Sequence, residues 1–292
     1  MKIGEARMAD VILKMTQMLD DFLPSERKVA KYISENLEDA VGLSVEELAR
    51  QSGSSKAAVI RFCKSLGCKG YRDLAIQLAA ELAVNQNDTE NDGYLDINVG
   101  DDVETILRNV SYHNAKAVED TLALTDADLV QRAVNCLYSA KRIDFYGFGA
   151  SGIVAQDAQY KFMRVNKYAT AYTDTHIQLT AAANLQKSDV AVAISWSGET
   201  RDIIEAARLA KESGAAVIAI TRYGQTTLGE CADILFRLSA PEATIRCGAT
   251  SSRIAQLTMI DMLYYCLVTQ NYQKVRGYLE RSRIKVKRKR GS

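Results

Sequence analysis

A chain of 292 residues, 47% hydrophobic and 25% charged, can bury one or two substantial cores, and two domains is the natural division. No segment approaches the roughly 18 consecutive apolar residues that a membrane span requires, which excludes a helical membrane protein and predicts a soluble, cytoplasmic one with no membrane partner. The net charge of +1 excludes little by itself, because the charges are laid out in blocks. Cys63, Cys68, Cys136, Cys231, Cys247 and Cys266 are scattered, with no Cys-x-x-Cys and no paired short spacing. They read as reduced thiols. His113 and His176 lie too far apart to suggest a metal, and no metal or cofactor is expected.

The first 82 residues carry apolar positions three or four apart, which predicts a helical bundle. Pro24-Ser25-Glu26 opens one helix, with Ser25 as its expected N-cap and Val29, Ala30, Ile33 and Leu37 as its stripe. Ser44 and Glu47 form a capping box before a short helix whose inward residues are Val45, Leu48 and Ala49. Gly53 ends that helix in a tight turn, and Ser54 or Ser55 caps the next one, which runs to about Leu66. This is the punctuation of a helix-turn-helix. In its second helix Val59, Phe62 and Leu66 face inward, leaving Ser55, Lys56, Ala58, Arg61 and Lys64 outside. Residues 54–73 hold Lys56, Arg61, Lys64, Lys69 and Arg72 against only Asp73, a local basic surface suited to nucleic acid. The expected DNA contacts are Ser54, Ser55, Lys56, Ala58, Arg61, Lys64 and Lys69. Helix, tight turn and basic helix also occur in proteins that never touch DNA, so these features alone leave a merely solvated face open.

Three runs carry more information: Ser44-Val45-Glu46-Glu47-Leu48-Ala49, then Ser55 through Phe62-Cys63-Lys64-Ser65-Leu66-Gly67, then Lys69-Gly70-Tyr71. Together they resemble the N-terminal domain of the RpiR family of bacterial regulators. The resemblance implies double-stranded operator DNA as a partner. That family typically has serine or threonine where this chain has Ala58, so one contact to phosphate or base is expected to be missing.

Residues 83–104 are acidic, with Asp88, Glu90, Asp92, Asp96, Asp101, Asp102 and Glu104 and no basic residue from Asn85 onward, and read as a linker. A second domain is expected over 105–272, opening with helices through Ile106, Val110, Ala117 and Leu122 and through Leu129, Ala133, Val134 and Leu137. Strands are then expected at 142–146, 168–172, 190–195, 216–221 and 234–238, alternating with helices. That order predicts an α/β sandwich around a central parallel sheet, and with the helical first domain gives an α + α/β chain. The stretch 273–292 reads as a basic C-terminal tail, in which the run from Arg281 to Arg290 is expected to be a solvated, disordered end, with auxiliary phosphate contact as the alternative.

In parallel α/β folds ligands bind beyond the carboxyl ends of the strands, and two strand-to-helix turns there stand out. Gly147-Phe148-Gly149-Ala150-Ser151-Gly152 opens a helix expected near Ile153, and its glycines permit close approach by an anion. Gly147, Gly149 and Gly152 also fit a dinucleotide fingerprint, with Asp174 roughly where a ribose-binding acid should lie. The second turn, Ser195-Trp196-Ser197-Gly198-Glu199-Thr200, puts three hydroxyls and a glycine before a helix. A dinucleotide domain has no need of these at its central strand.

Taken together, the two turns resemble the sugar isomerase, or SIS, domain. That resemblance implies Ser151, Ser195, Ser197 and Thr200 as phosphate ligands of a phosphosugar, with Gly149 and Gly198 allowing approach. Glu242, Arg246 and the run Ser251 to Leu257 extend the match, and His176, Glu242 and Arg246 are candidate sugar contacts. In related SIS enzymes a glutamate near this location acts as a base, but a binding or structural role for Glu242 is preferred. The expected function is a homodimeric or homotetrameric regulator of carbohydrate metabolism, not an enzyme, controlled by a phosphosugar. Its rivals are a phosphosugar isomerase or N-acetylmuramate-phosphate etherase with a helical extension and, more weakly, a nicotinamide oxidoreductase.

Overall fold

The computed structural model describes residues 11–19, 21–85, 100–240, 249–270 and 272–289. Two compact units divide the chain, Met1–Tyr112 with Tyr223–Gln225 in one and His113–Arg222 with Thr226–Ser292 in the other. Most of the acidic stretch, residues 86–99, falls outside the described residues.

The first unit is helical, as its periodicity requires. Its helices are α1 (Val11–Gln17), α2 (Pro24–Glu35), α3 (Leu37–Gly42), α4 (Val45–Gln51), α5 (Lys56–Ser65) and α6 (Tyr71–Asn85). The inward faces of α2, α4 and α5 meet in one apolar cluster through Val29, Ile33, Leu48, Val59 and Phe62, and Phe22 packs on the edge of Phe62 with ring centroids 5.0 Å apart. Helix α2 begins two residues earlier than expected, because Pro24 occupies its first position with φ already helical and no N–H to satisfy. Leu23 is therefore the N-cap, and its N–H donates to Glu26 Oε2 at 3.4 Å. Ser25 is inside the first turn.

Helices α7 (Val103–Leu124) and α8 (Ala127–Ser139) precede the sheet, and the division between the units falls within α7. From there strand and helix alternate as β1 (Ile143–Gly147), α9 (Gly149–Arg164), β2 (Ala169–Ala171), α10 (Thr175–Ala183), β3 (Val190–Ile194), α11 (Arg201–Glu212), β4 (Ala216–Arg222), α12 (Thr227–Cys231) and β5 (Ile234–Leu238). Helices α13 (Ser251–Gln270) and α14 (Tyr272–Lys289) follow. The C-terminal stretch expected to be disordered is thus helical through Lys289. Val275 is buried at 5% exposure and Leu279 packs against the core cluster, which gives the helix an apolar anchor.

All five strands are parallel, in the order β2-β1-β3-β4-β5. Burial alternates between the two faces of the sheet, following the two-residue period of a strand. Ile143, Phe145, Val192, Ile194, Ile218 and Phe236 pack with residues of α8, α9 and α13. Ala191, Ala193, Val217 and Ala219 pack on the other side with Ala206, Ala207 and Ala210 of α11, where small residues on both surfaces let the helix lie close. Tyr146, on this second face, donates its hydroxyl to the fully buried Asp144 at 3.0 Å, and Arg142 grips the same carboxylate with two bonds of 2.9 and 2.7 Å. Burial pushes the Tyr146 phenol well above its ordinary pKa.

Phe162 is fully buried between Phe145 and Tyr264, with centroids 5.3 and 5.9 Å away, and joins α9 to both β1 and α13. Phe162→Ala is expected to destabilise the protein by about 3–5 kcal/mol in chemical denaturation. A loss below about 1 kcal/mol would show that this junction does not hold the layer.

Candidate functional site

The helix-turn-helix is built by local bonds. Ser44 Oγ accepts the Glu47 N–H at 3.2 Å while the Ser44 N–H donates to Glu47 Oε2 at 2.8 Å, which fixes the start of α4. Gly53, at φ 60°, takes the left-handed conformation that stops α4, and the Ser54 N–H closes the turn on Ala49 O at 2.8 Å. Ser55 then caps α5 by accepting the Ala58 N–H at 3.2 Å. The Ser54 hydroxyl donates to Ser25 O at 2.9 Å, tying the turn to α2.

On α5, Val59, Phe62 and Leu66 are buried as expected, and Ser55, Lys56, Arg61, Lys64 and, after the helix, Lys69 are exposed. Ala58 is not on the outer face. It is fully buried, one turn before Phe62 on the side packed against α2 and α4, so it drops out of the expected DNA contacts. Lys56 pairs with Glu46 in an exposed contact that contributes little and can be exchanged for a phosphate. Arg61 is held more firmly. Its Nε lies 3.2 Å from Glu26 Oε1 and its Nη2 3.4 Å from Ser25 Oγ, and Glu26 is buried while the Arg61 side chain remains half exposed. The Glu26 carboxylate, unnoticed in the sequence, therefore both caps α2 and aims the arginine.

In the second unit the strand order reverses direction between β1 and β3. Chain connections run outward on either side of that pair, which opens a crevice at its carboxyl end. The two turns singled out from the sequence leave these two strands, paired side by side with Gly147 opposite Ile194. Helix α9 starts at Gly149, four residues before the expected position, because Gly149 adopts φ 55° and Phe148 serves as N-cap. Gly147 is required: a Cβ there would sit 2.5 Å from the Ser151 carbonyl oxygen.

Asp126, Asp174 and Thr226 close the first turns of α8, α10 and α12 with side-chain acceptors. Helices α9 and α11, the two that begin at the crevice, have no such cap. The Thr200 hydroxyl, in N-cap position on α11, instead lies 3.0 Å from Ser195 Oγ. Ser195 Oγ also accepts the Gly198 N–H, and Ser197 Oγ accepts the Glu199 N–H, both at 3.2 Å. Those backbone bonds orient the oxygens; one hydrogen of the Ser195–Thr200 pair is spent between the two hydroxyls, and the other, with that of Ser197, is left to donate elsewhere. Helix N-termini with unclosed N–H groups and added hydroxyl donors form an anion cradle.

Glu199 clamps this loop by accepting the Thr227 N–H at 2.8 Å and the Thr227 hydroxyl at 2.7 Å. Those bonds, the backbone one foremost, hold its carboxyl below the usual carboxylate range. Gly198, at φ 69°, has no room for a side chain, since a Cβ would meet Thr226 Cβ at 2.4 Å.

Two family models match the chain: the helix-turn-helix domain of the rpiR family over residues 7–85 and the SIS domain over residues 136–265. An uncharacterised HTH-type transcriptional regulator of Caldanaerobacter subterraneus is 45% identical over 273 residues, covering 94% of this chain and 95% of its own. The chain belongs to the RpiR family of helix-turn-helix transcriptional regulators. HexR, a regulator of Pseudomonas aeruginosa, is 35% identical over 261 residues, 88% of each chain. Among solved structures, NanR of Vibrio vulnificus in complex with ManNAc-6P matches with a TM-score of 0.58 at 26% identity, covering 94% of this chain and 98% of that one.

For this RpiR-family regulator the structure brings Gly149, Ser151, Ser195, Ser197, Gly198 and Thr200 to adjacent corners of one sheet. His176 lies exposed in the first turn of α10. Asp174, which a dinucleotide site would direct at a ribose, caps that helix through the Ile177 N–H at 3.0 Å. Glu242 and Arg246 lie outside the described residues. Two buried glutamines were missed. Gln178 Nε2 donates to Gly147 O at 3.0 Å and to Tyr172 O at 2.7 Å, and the Gln256 amide oxygen and nitrogen lie 3.2 and 3.1 Å from Ser151 Oγ. No helix among the described residues is long and apolar enough to cross a membrane.

The two left-handed glycines of the cradle make a graded test. Gly149 has open space where a Cβ would go, so Gly149→Ala is expected to lose only the conformational term, about 1–2 kcal/mol. Gly198→Ala adds overpacking against Thr226, a further 1–3 kcal/mol or so. Equal losses in parallel denaturation curves would contradict the crowding assigned to Gly198.

Proposed function

We propose that this regulator binds operator DNA through α5 and that a phosphorylated sugar, held across the β1 and β3 corners, sets its affinity for that DNA. One observation carries the ligand assignment: α9 and α11 begin uncapped on either side of the strand reversal, with the hydroxyls of Ser151, Ser195, Ser197 and Thr200 beside their N-termini. A phosphoryl group fits because its oxygens only accept, and unclosed backbone N–H groups and rotatable hydroxyls both supply donors. The NanR structure, a relative of similar length, supports the sugar part of the ligand through the ManNAc-6P in its complex.

A binding role is preferred to catalysis. The relatives with names are regulators, and the carboxylate in the β3 corner, Glu199, already spends both oxygens on Thr227. On the DNA side, Ser55, Lys56, Arg61, Lys64 and Lys69 supply phosphate and base-edge donors. A homodimer or homotetramer would set two recognition helices about one DNA turn apart, roughly 34 Å. The two ligands must influence each other equally, so the phosphosugar changes operator affinity by the same factor that operator changes phosphosugar affinity.

Trp196, the one tryptophan in the sequence, sits in the β3 corner and reports binding there. Its fluorescence is expected to respond to sugar 6-phosphates, ManNAc-6P among them, and not to the same sugars without phosphate. Ser197→Ala should weaken that response about tenfold while basal DNA affinity in a mobility-shift assay holds. Arg61→Ala should weaken DNA binding by about 1–3 kcal/mol and leave the fluorescence titration unchanged. A folded Ser197→Ala protein that has lost operator binding would contradict this division of labour.

A further inference from the structure

The first turn of α13 holds a polar group that nothing above uses. Ser252 is 1% exposed and its hydroxyl has no hydrogen-bond partner among the described residues. It is one of four buried side-chain atoms without such a partner among the described residues; leaving a buried hydroxyl unpaired is disfavoured, and each instance calls for an explanation.

Its position supplies one. Helix α13 runs parallel to α9, as three contacts in sequence order show: Gln256 to Ser151, Asp261 to Lys161 and Tyr264 to Phe162. Ser252 precedes Gln256 by one turn on the same face, about 6 Å further toward the helix N-terminus. The matching step back from Ser151 on α9 reaches Gly147 and Phe148, the glycine-rich corner itself. Helical side chains also tilt toward the N-terminus, so the Ser252 hydroxyl is directed at the ligand end of the sheet. Its burial does not set it apart from the cradle, where Ser151 and Ser195 are 8% and 3% exposed.

We infer that Ser252 is a specificity-determining contact to the sugar portion of the ligand, an inference that rests on the phosphosugar reading given above. The chemistry favours the sugar over the phosphoryl group. Phosphoryl oxygens only accept, and the β1 and β3 corners already offer them hydroxyl and amide donors. An unpaired serine offers both a donor and an acceptor, the complement of a sugar hydroxyl, which also has both. A site built around such a group discriminates against analogues that lack the matching hydroxyl. Gln256 acts through another residue: its amide holds Ser151 in place and fixes the spacing between the phosphate corner and Ser252.

The test compares Ser252→Ala with wild type and with Ser197→Ala, using Trp196 fluorescence in titrations with inorganic phosphate and with ManNAc-6P and other sugar 6-phosphates. Ser252→Ala is expected to leave phosphate affinity unchanged, to weaken the best-bound sugar 6-phosphate about three- to tenfold, and to leave the melting temperature equal or higher, since an orphan hydroxyl is removed. Ser197→Ala is expected to weaken both probes. Sugar-phosphate affinity unchanged in Ser252→Ala, with Ser197→Ala still impaired, overturns this contact and leaves the phosphosugar site standing. Equal weakening of phosphate and sugar phosphate by Ser252→Ala overturns it as well, by making Ser252 part of the general cradle. A wild-type protein that responds to no probe overturns both readings.

Discussion

The parallel pairing of β1 with β3 is the constraint on which the proposed ligand site depends. Consecutive strands in this sheet grow outward in both directions from that pair, so the helices leaving it diverge to opposite faces while their N-termini remain neighbours. Two sets of unclosed backbone N–H groups then point toward one crevice, where an anion is favoured by helix dipoles and direct donation together. The glycines follow from the same crowding. Gly147 must let the first turn of α9 pass, and Gly198 must let Thr226 approach.

Fixing these corners falls to groups set outside the proposed cradle. Glu199 ties the β3 corner to α12, Gln178 holds Gly147 from α10, and Gln256 holds Ser151 from α13. The same division appears in the helix-turn-helix, where buried Glu26 aims Arg61 and Ser54 binds the turn to α2. In both units a side chain of a proposed binding surface is positioned by a buried polar one, an arrangement that would lower the ordering entropy lost on binding.

Local signals explain what the sequence made legible. Strand positions were visible because Val190–Ile194 and Ala216–Arg222 are short apolar runs between helices, and the capping box at Ser44 and the stop at Gly53 are written in adjacent residues. The site hydroxyls were legible for the same reason, each lying in a strand-to-helix turn. Long-range partners were not. Gln256 lies 105 residues from Ser151 and Glu26 lies 35 from Arg61, and no spacing rule joins them. Ala58 was misplaced because a small residue carries little periodic signal, and the C-terminal helix was hidden because its charge outweighed Val275 and Leu279.

The central claim is that a phosphoryl group lies between the β1 and β3 corners, and a crystal structure of the protein soaked with ManNAc-6P or another sugar 6-phosphate tests it most directly. The account predicts phosphorus density within hydrogen-bonding reach of Ser151 on one side and of Ser195, Ser197 and Thr200 on the other. Ligand density elsewhere, with both corners empty, would contradict it.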